Sequence, residues 1–324
     1  MNNTRTRASV FDYMQGYTLC TVISELESLG VLDELATSGV RAGGCGANSF
    51  LSEATLRYLA EREVVDSDGD VYRLTDFGRS IYADRGYLVW LSGGYGDAMN
   101  TFGDLLDGKR RFGQDVDRDL RWVAVGSAIV GQKDLWPYVV ELAREFEFKC
   151  IADLGCGNAH YLISLCRAVG AEGIGVDISP ASCKEAEQEV TNAGLGDRIT
   201  IIEADAGDLK KVPGIEKVDL VFTFFFLHEV LEHGYEVLVA YLRQIQESLP
   251  SGAHMLTAEV APPGSGDIGV ELFAPEYALT QALMEQRLLD ETGWTGAFTD
   301  AGFEVVEVVK PDLPEGRIIL ACKR

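Results

Sequence analysis

From Cys150 onward the chain alternates short β-rich runs with helical stretches. The runs are "CIADLG", "GIGVDIS", "ITIIEAD", "DLVFTFFF" and "AHMLTAEV". Few folds accommodate this alternation. A strand that returns parallel to its predecessor needs a crossover, which a helix supplies, so the pattern predicts an α/β domain, doubly wound around a mostly parallel sheet. "FEVVEVVK" and "RIILACKR", joined by a Pro/Gly loop, predict a closing antiparallel hairpin and a Rossmann-like sheet of seven strands. Ligands of such sheets bind outside the carboxyl ends of the strands.

The upstream half has a different period. Leu19, Val22, Ile23, Leu26 and Leu29 recur at three- and four-residue spacing, a helix that Gly30 can stop, and a short helix through Leu32 to Leu35 follows. "SFLSEATLRYLAEREVV" repeats the helical pattern, with Ser52 as candidate N-cap. "VVDSDGDVYRLT" predicts a hairpin turning at Asp68-Gly69. Helices followed by a hairpin suggest a mostly helical winged-helix domain. A loop is expected at Gly93-Gly94 and a helix after Arg118. The expected division is a winged-helix-like dimerisation and lid domain over 1–115, linker helices over 116–147, and the α/β domain over 148–324.

Winged helices often hold DNA, but in residues 1–100 acids outnumber arginines 14 to 8 and lysine is absent. The whole chain carries a net charge of −23. Phosphate binding needs surplus Lys and Arg, so neither nucleic acid nor an anionic membrane is expected as a partner. No apolar run approaches the roughly 18–20 residues of a membrane span, and "MNNTRTRASV" lacks the apolar core of a signal peptide. The seven cysteines are scattered, with no C-x-x-C pair, and read as reduced thiols of a cytoplasmic protein.

The sharpest motif is "IADLGCGNAHYLI", where a strand ends at Asp153 and a helix follows Gly155 and Gly157. The glycines permit a tight turn and close approach of a ligand to the backbone. A dinucleotide fingerprint would need glycine at 160, which is His160, on the helix surface or beside the cofactor. D-x-G-x-G-x-A instead resembles motif I of the class I S-adenosylmethionine (AdoMet) methyltransferases. Asp177 ends the next run, where a carboxylate can accept both ribose hydroxyls. Asp205 ends the third. The resemblance implies that AdoMet is held by Asp153, Gly155, Gly157, Asp177 with its neighbour Ile178, and Asp205 with Ala206 at the adenine edge.

Nearly the whole length is similar to small-molecule methyltransferases with an N-terminal winged-helix dimerisation domain, which implies a homodimer. "FTFFFLHEVLEHG" holds two of the four histidines. His228 and His233 are five apart, about 140° around a helix, so they do not form the H-E-x-x-H metal clasp. In the O-methyltransferases of this group "LHDW" follows the fourth strand and its histidine is the general base; "FLHEV" puts His228 there, with Glu229 in place of Asp. His233 and His254 are expected at the surface, His233 on a helix and His254 in or near a strand.

A narrower resemblance is to the α-keto acid β-carbon methyltransferases of antibiotic pathways, of the phenylpyruvate and 2-ketoarginine type. "GQDVDRDL" resembles the segment whose arginine grips the keto-acid carboxylate, which points to Arg118, although Arg118 can equally pair with Asp119. "YLVWLSGGYG" resembles a pocket-lining stretch and points to Trp90 and Tyr95. "YALTQALMEQRLLDETGW" resembles the segment with a second metal-binding histidine, but Gln281 occupies that place. A glutamine carbonyl binds metal less tightly than imidazole. The resemblance thus implies methyl transfer to a small-molecule α-keto acid, assisted by Fe or Zn on His228 and Gln281, with Arg118 as carboxylate clamp and Glu229 as base or supporting acid. The alternative is O- or N-methylation of a small aromatic acceptor, with His228 as general base and no metal.

Overall fold

The computed structural model describes residues 8–262 and 274–324. Contacts divide the chain into two compact units, Met1–Lys133 and Asp134–Arg324. The boundary falls inside the stretch expected as linker, whose two helices are shared out between the units.

The first unit opens with α1 (Ala8–Ser28), stopped before Gly30 at φ +72°, and α2 (Val31–Ala36). Strand β1 (Val40–Arg41) and helix α3 (Ser49–Glu61) follow. The α3 cap is Asn48, whose side chain accepts from Leu51 N–H. Ser52, the expected cap, lies buried inside the helix, where its hydroxyl accepts from Cys45 N–H at 2.8 Å. The hairpin is as expected: β2 (Val65–Asp68) pairs antiparallel with β3 (Val71–Leu74) across Gly69, and β1 adds to make a three-stranded sheet. After α4 (Asp76–Leu88), residues Val89–Gly94 form a π-helical turn running into α5 (Tyr95–Asn100) and α6 (Phe102–Leu106). The loop expected at Gly93-Gly94 is therefore helical. Its glycines serve close packing: a Cβ on Gly94 would stand 2.7 Å from Val123 of α7 (Leu120–Val130).

In the second unit α8 (Trp136–Glu145) precedes the alternation. Its elements are β4 (Cys150–Leu154), α9 (His160–Val169), β5 (Glu172–Asp177), α10 (Pro180–Asn192), β6 (Ile199–Glu203), β7 (Leu220–Phe224), α11 (Leu227–Leu231), α12 (Tyr235–Ser248) and β8 (His254–Val260). After α13 (Ala274–Leu283) and α14 (Glu291–Asp300), β9 (Phe303–Val309) and β10 (Gly316–Lys323) close the chain. The seven-stranded order is β6-β5-β4-β7-β8-β10-β9, with β10 antiparallel to both neighbours and the first five strands parallel. Strands covered on both faces read as unbroken apolar runs rather than as alternations. In β8, Met255 belongs to the cluster under α12 and α14, and Leu256 and Ala258 to the cluster under α8 and α9. The strand order reverses between β4 and β7, which opens a crevice at their carboxyl ends.

Candidate functional site

The turn after β4 is built on left-handed backbone. Gly155 has φ +79° and Gly157 φ +53°, and a Cβ on either would meet nothing within 4 Å. These glycines are kept for backbone conformation and leave open space over the turn for a ligand. The turn is tied to the next strand: Val176 C=O accepts from Gly155 and Cys156 N–H, and Asp177 Oδ2 accepts from Gly157 N–H at 2.9 Å. Asp177 Oδ1 also accepts from Ser179 N–H. Asp153 is buried (5% exposed) and no described residue donates to its carboxylate. Burial, and then the nearby Asp177 charge, holds that carboxyl well above the usual carboxylate range. Ile178 is 71% exposed beside Asp177. Asp205 is exposed and shapes its own turn by accepting from Gly207 N–H, while Ala206 packs against the core. The expected cofactor residues thus gather at the carboxyl ends of β4, β5 and β6. His160, the exposed first residue of α9, stands at the same end.

At the carboxyl end of β7 the backbone turns sharply, with Phe225 in the left-handed region at φ +54°. His228 follows on α11, 5% exposed, and its Nδ1 lies 2.8 Å from Glu259 Oε2 on β8. Glu259 is fully buried, and its Oε1 accepts from Phe226 and Leu227 N–H at 3.0 and 2.7 Å. One carboxylate therefore holds both the imidazole and the backbone that carries it. A carboxylate on Nδ1 favours the tautomer protonated there and leaves Nε2 as the nitrogen that exchanges a proton with a ligand. Glu229 is half-buried. Arg317 is the cross-strand partner of Glu259 and is held by Glu291 at 2.6 Å.

Nothing in the sequence pattern singled out Glu259. The one available signal is a carboxylate next to last in the mostly apolar strand "HMLTAEV". His233 is exposed but lies in the turn after α11, not on a helix. His254 does begin a strand, but it is half-buried against Phe146 and Phe148 rather than at the surface.

Three substrate candidates meet in the first unit. Arg118 Nη1 lies 3.4 Å from Tyr95 Oη, and the Tyr95 ring packs 4.6 Å from Trp90. Trp90 and Tyr95 are buried and Arg118 is half-buried. Asp119 caps α7 through Arg121 and Trp122 N–H. Gln281 lies in the second unit, 3% exposed, and its Oε1 is buried without a hydrogen-bond partner.

The narrower resemblance implies a metal, which sets a requirement on the donors. Among the described residues no three His, Cys, Asp or Glu side chains gather as a metal-binding group. The expected pair would supply His228 and Gln281 only, which does not fit a metal held by protein donors alone.

A family model described as a methyltransferase domain matches residues 151–252, the stretch from β4 to just before β8. The 2-ketoarginine methyltransferase of Streptomyces arginensis is 29% identical, over 90% of this chain and 87% of that relative. The indolepyruvate C-methyltransferase of Streptomyces griseus is 26% identical, over 88% and 87%. Among solved structures, the calicheamicin-biosynthesis methyltransferase CalO1, in its SAH-bound form, superposes with a TM-score of 0.69 at 20% identity, over the full length of both chains. The glycine turn with its strand-end acids lies within the matched methyltransferase domain, and the chain is an S-adenosylmethionine-dependent methyltransferase.

Proposed function

We propose that this methyltransferase alkylates the β-carbon of an α-keto acid. The observation that carries the reading is the pair of relatives, each aligned along nearly nine-tenths of the chain and each named for a keto-acid substrate or product. Arg118, beside Tyr95 and Trp90, supports it, because a planar fork suits a bidentate carboxylate.

The step balances without a further reactant. His228 Nε2 takes a proton from the β-carbon, with Glu259 stabilising the imidazolium. The resulting enolate carbon attacks the sulfonium methyl in line. The S–CH3 bond breaks, its electron pair stays on sulfur, and S-adenosylhomocysteine leaves. Holding donor and acceptor aligned supplies much of the acceleration, about 7–11 kcal/mol in favourable intramolecular models. In this reading the first unit is a winged-helix module that pairs two copies, the enzyme is cytoplasmic, and its product feeds an unusual amino acid or an antibiotic.

The buried His228–Glu259 pair also favours a second reading, O- or N-methylation of a small aromatic acceptor with His228 as general base. Incubation with AdoMet and a panel of keto acids and phenols separates the two. A β-methyl keto acid identified by NMR is the expected product. Methyl ethers or amines alone would replace the first reading with the second.

A further inference from the structure

Helix α12 carries one buried hydroxyl that its packing does not require. Leu238, Leu242 and Ile245 of that helix belong to the core cluster, and Tyr241 packs against the same cluster. The Tyr241 ring also tilts against Phe226, with centroids 5.9 Å apart. A phenylalanine would serve these contacts equally. The Tyr241 Oη is nevertheless buried and has no hydrogen-bond partner among the described residues. A buried hydroxyl left unpaired costs free energy that its removal would recover. The hydroxyl end of the ring faces the turn after β6. A Cβ on Gly207 would stand 3.2 Å from Asp205 Oδ1 and 3.8 Å from Tyr241 Cε2, the carbon next to the one that bears the hydroxyl. Ring and carboxylate thus meet over one glycine. Asp205 Oδ1 accepts from Gly207 N–H, and no described residue donates to Oδ2. Burial, and then the Asp205 charge, pushes the Tyr241 phenol above its ordinary value, so the hydroxyl remains a donor at physiological pH.

We propose that Tyr241 is a positioning residue for the S-adenosylmethionine base. When adenine covers Asp205, the carboxylate turns to accept from the Tyr241 hydroxyl, and that bond fixes the oxygen that takes the exocyclic amine. The proposal rests on the reading of Asp205 as an adenine-edge residue and adds the group that orients it. Asp205 is exposed, so water serves its second oxygen while the edge is open. A purine laid on that edge displaces the water, and a carboxylate taken out of water needs replacement donors. The amine of the base supplies one and the hydroxyl the other. The hydroxyl is paired only in the loaded protein, so donor binding gains a hydrogen bond that the free fold lacks.

Tyr241→Phe removes the hydroxyl and keeps the ring. The free variant is expected to melt at the wild-type temperature or above it. Its affinity for S-adenosylhomocysteine, measured by calorimetry on the full chain, should fall about 10-fold, the scale of a hydrogen bond to a charged group. Affinity for 5′-methylthioadenosine, which keeps base and ribose but lacks the amino-acid end, should fall by the same factor. In turnover the KM for AdoMet should rise while kcat holds. Asp205→Ala should weaken both ligands. Adding Tyr241→Phe to it should cost nothing further, because the hydroxyl then has no carboxylate to orient. Unchanged affinity in Tyr241→Phe, where Asp205→Ala weakens binding, overturns the inference and leaves the reading of Asp205 standing. So does a loss confined to S-adenosylhomocysteine, which would move the hydroxyl to the amino-acid end. A loss as large in the Asp205→Ala background as in the wild type overturns it as well. A lower melting temperature of free Tyr241→Phe with unchanged affinity would make the hydroxyl structural. If Asp205→Ala binds both ligands as the wild type does, the adenine-edge reading falls and the inference falls with it.

Discussion

Two carboxylates in the second unit do opposite work for their surroundings. Glu259 is saturated, with one oxygen on the imidazole and the other on two backbone N–H groups. Glu259→Gln keeps the shape but loses the anion behind the imidazole. It is expected to lower kcat by about 10–100-fold, the usual scale for groups that orient a functional histidine, with AdoMet affinity unchanged. Glu259→Ala would in addition strand two buried donors, at roughly 1–3 kcal/mol each, and lower the denaturation midpoint. Equal losses of activity and stability in both variants would reduce Glu259 to a structural residue. Asp153 is the reverse case, buried with no donor from the described residues. Its folded pKa is raised by burial and by Asp177, so the folded state binds the proton more tightly than the unfolded chain, whose ordinary value is 3.8. Stability is therefore full below that value and declines as pH rises through the raised one. A sulfonium donor beside the carboxyl favours its ionised form, so AdoMet binding should release a proton and tighten with rising pH. Asp153→Asn is accordingly expected to raise the melting temperature at neutral pH while weakening AdoMet and abolishing proton release, read by calorimetry in buffers of different ionisation heat. Unaltered donor affinity in this variant would remove Asp153 from the site.

At the scale of elements, the helix pair that carries the first unit's candidate cluster depends on glycine. A Cβ on Gly126 of α7 would stand 2.6 Å from Trp90 N and 2.8 Å from Gly86 C=O. Gly126→Ala must push α7 off α4 and off the π-helical turn, which is expected to cost about 1–3 kcal/mol, the range for overpacking. It should also raise the keto-acid KM more than it alters AdoMet binding, because Trp90 and Tyr95 ride on that turn. A variant with wild-type denaturation and KM would show that the contact gives way freely. The same elements show what a sequence makes legible. The five parallel strands were readable because burial on both faces leaves continuous β-branched runs, and the glycine turn because positive φ is nearly exclusive to glycine. The cap of α3 is not legible locally, because Ser52 and Asn48 are equally good caps and only the Cys45 N–H, brought in by a loop, decides between them. The π-helical turn reads as a loop because its glycines answer to α7, some 30 residues on, rather than to their own backbone. Glu259 stayed hidden for the same kind of reason: its meaning comes from the neighbouring strand, where His228 emerges.

For the molecule as a whole, one feature without an assigned partner is the exposed first half of α1, whose second half packs into the core of the first unit. Val10, Phe11, Tyr13, Met14 and Tyr17 are 57–69% exposed, and four of them fall at the three- and four-residue spacing of one helical stripe. Exposed apolar stripes of this extent mark association surfaces, and the proposed homodimer would bury this one. Two chains of net charge −23 repel each other, so apolar burial must outweigh a long-range electrostatic cost. That balance fixes the sign of a salt effect. Screening shortens the repulsion to about 8 Å at physiological ionic strength and leaves apolar burial intact, so the dimer should tighten as salt is added. A nucleic-acid partner would behave oppositely, since counterion release weakens it with salt. Light scattering across a salt series should therefore show a dimer that gains at higher ionic strength. Tyr13→Glu with Tyr17→Glu should give a folded monomer whose second unit still binds AdoMet, because that unit has its own core. A wild type that is monomeric at every salt concentration, or a dimer indifferent to both substitutions, would leave α1 out of the interface.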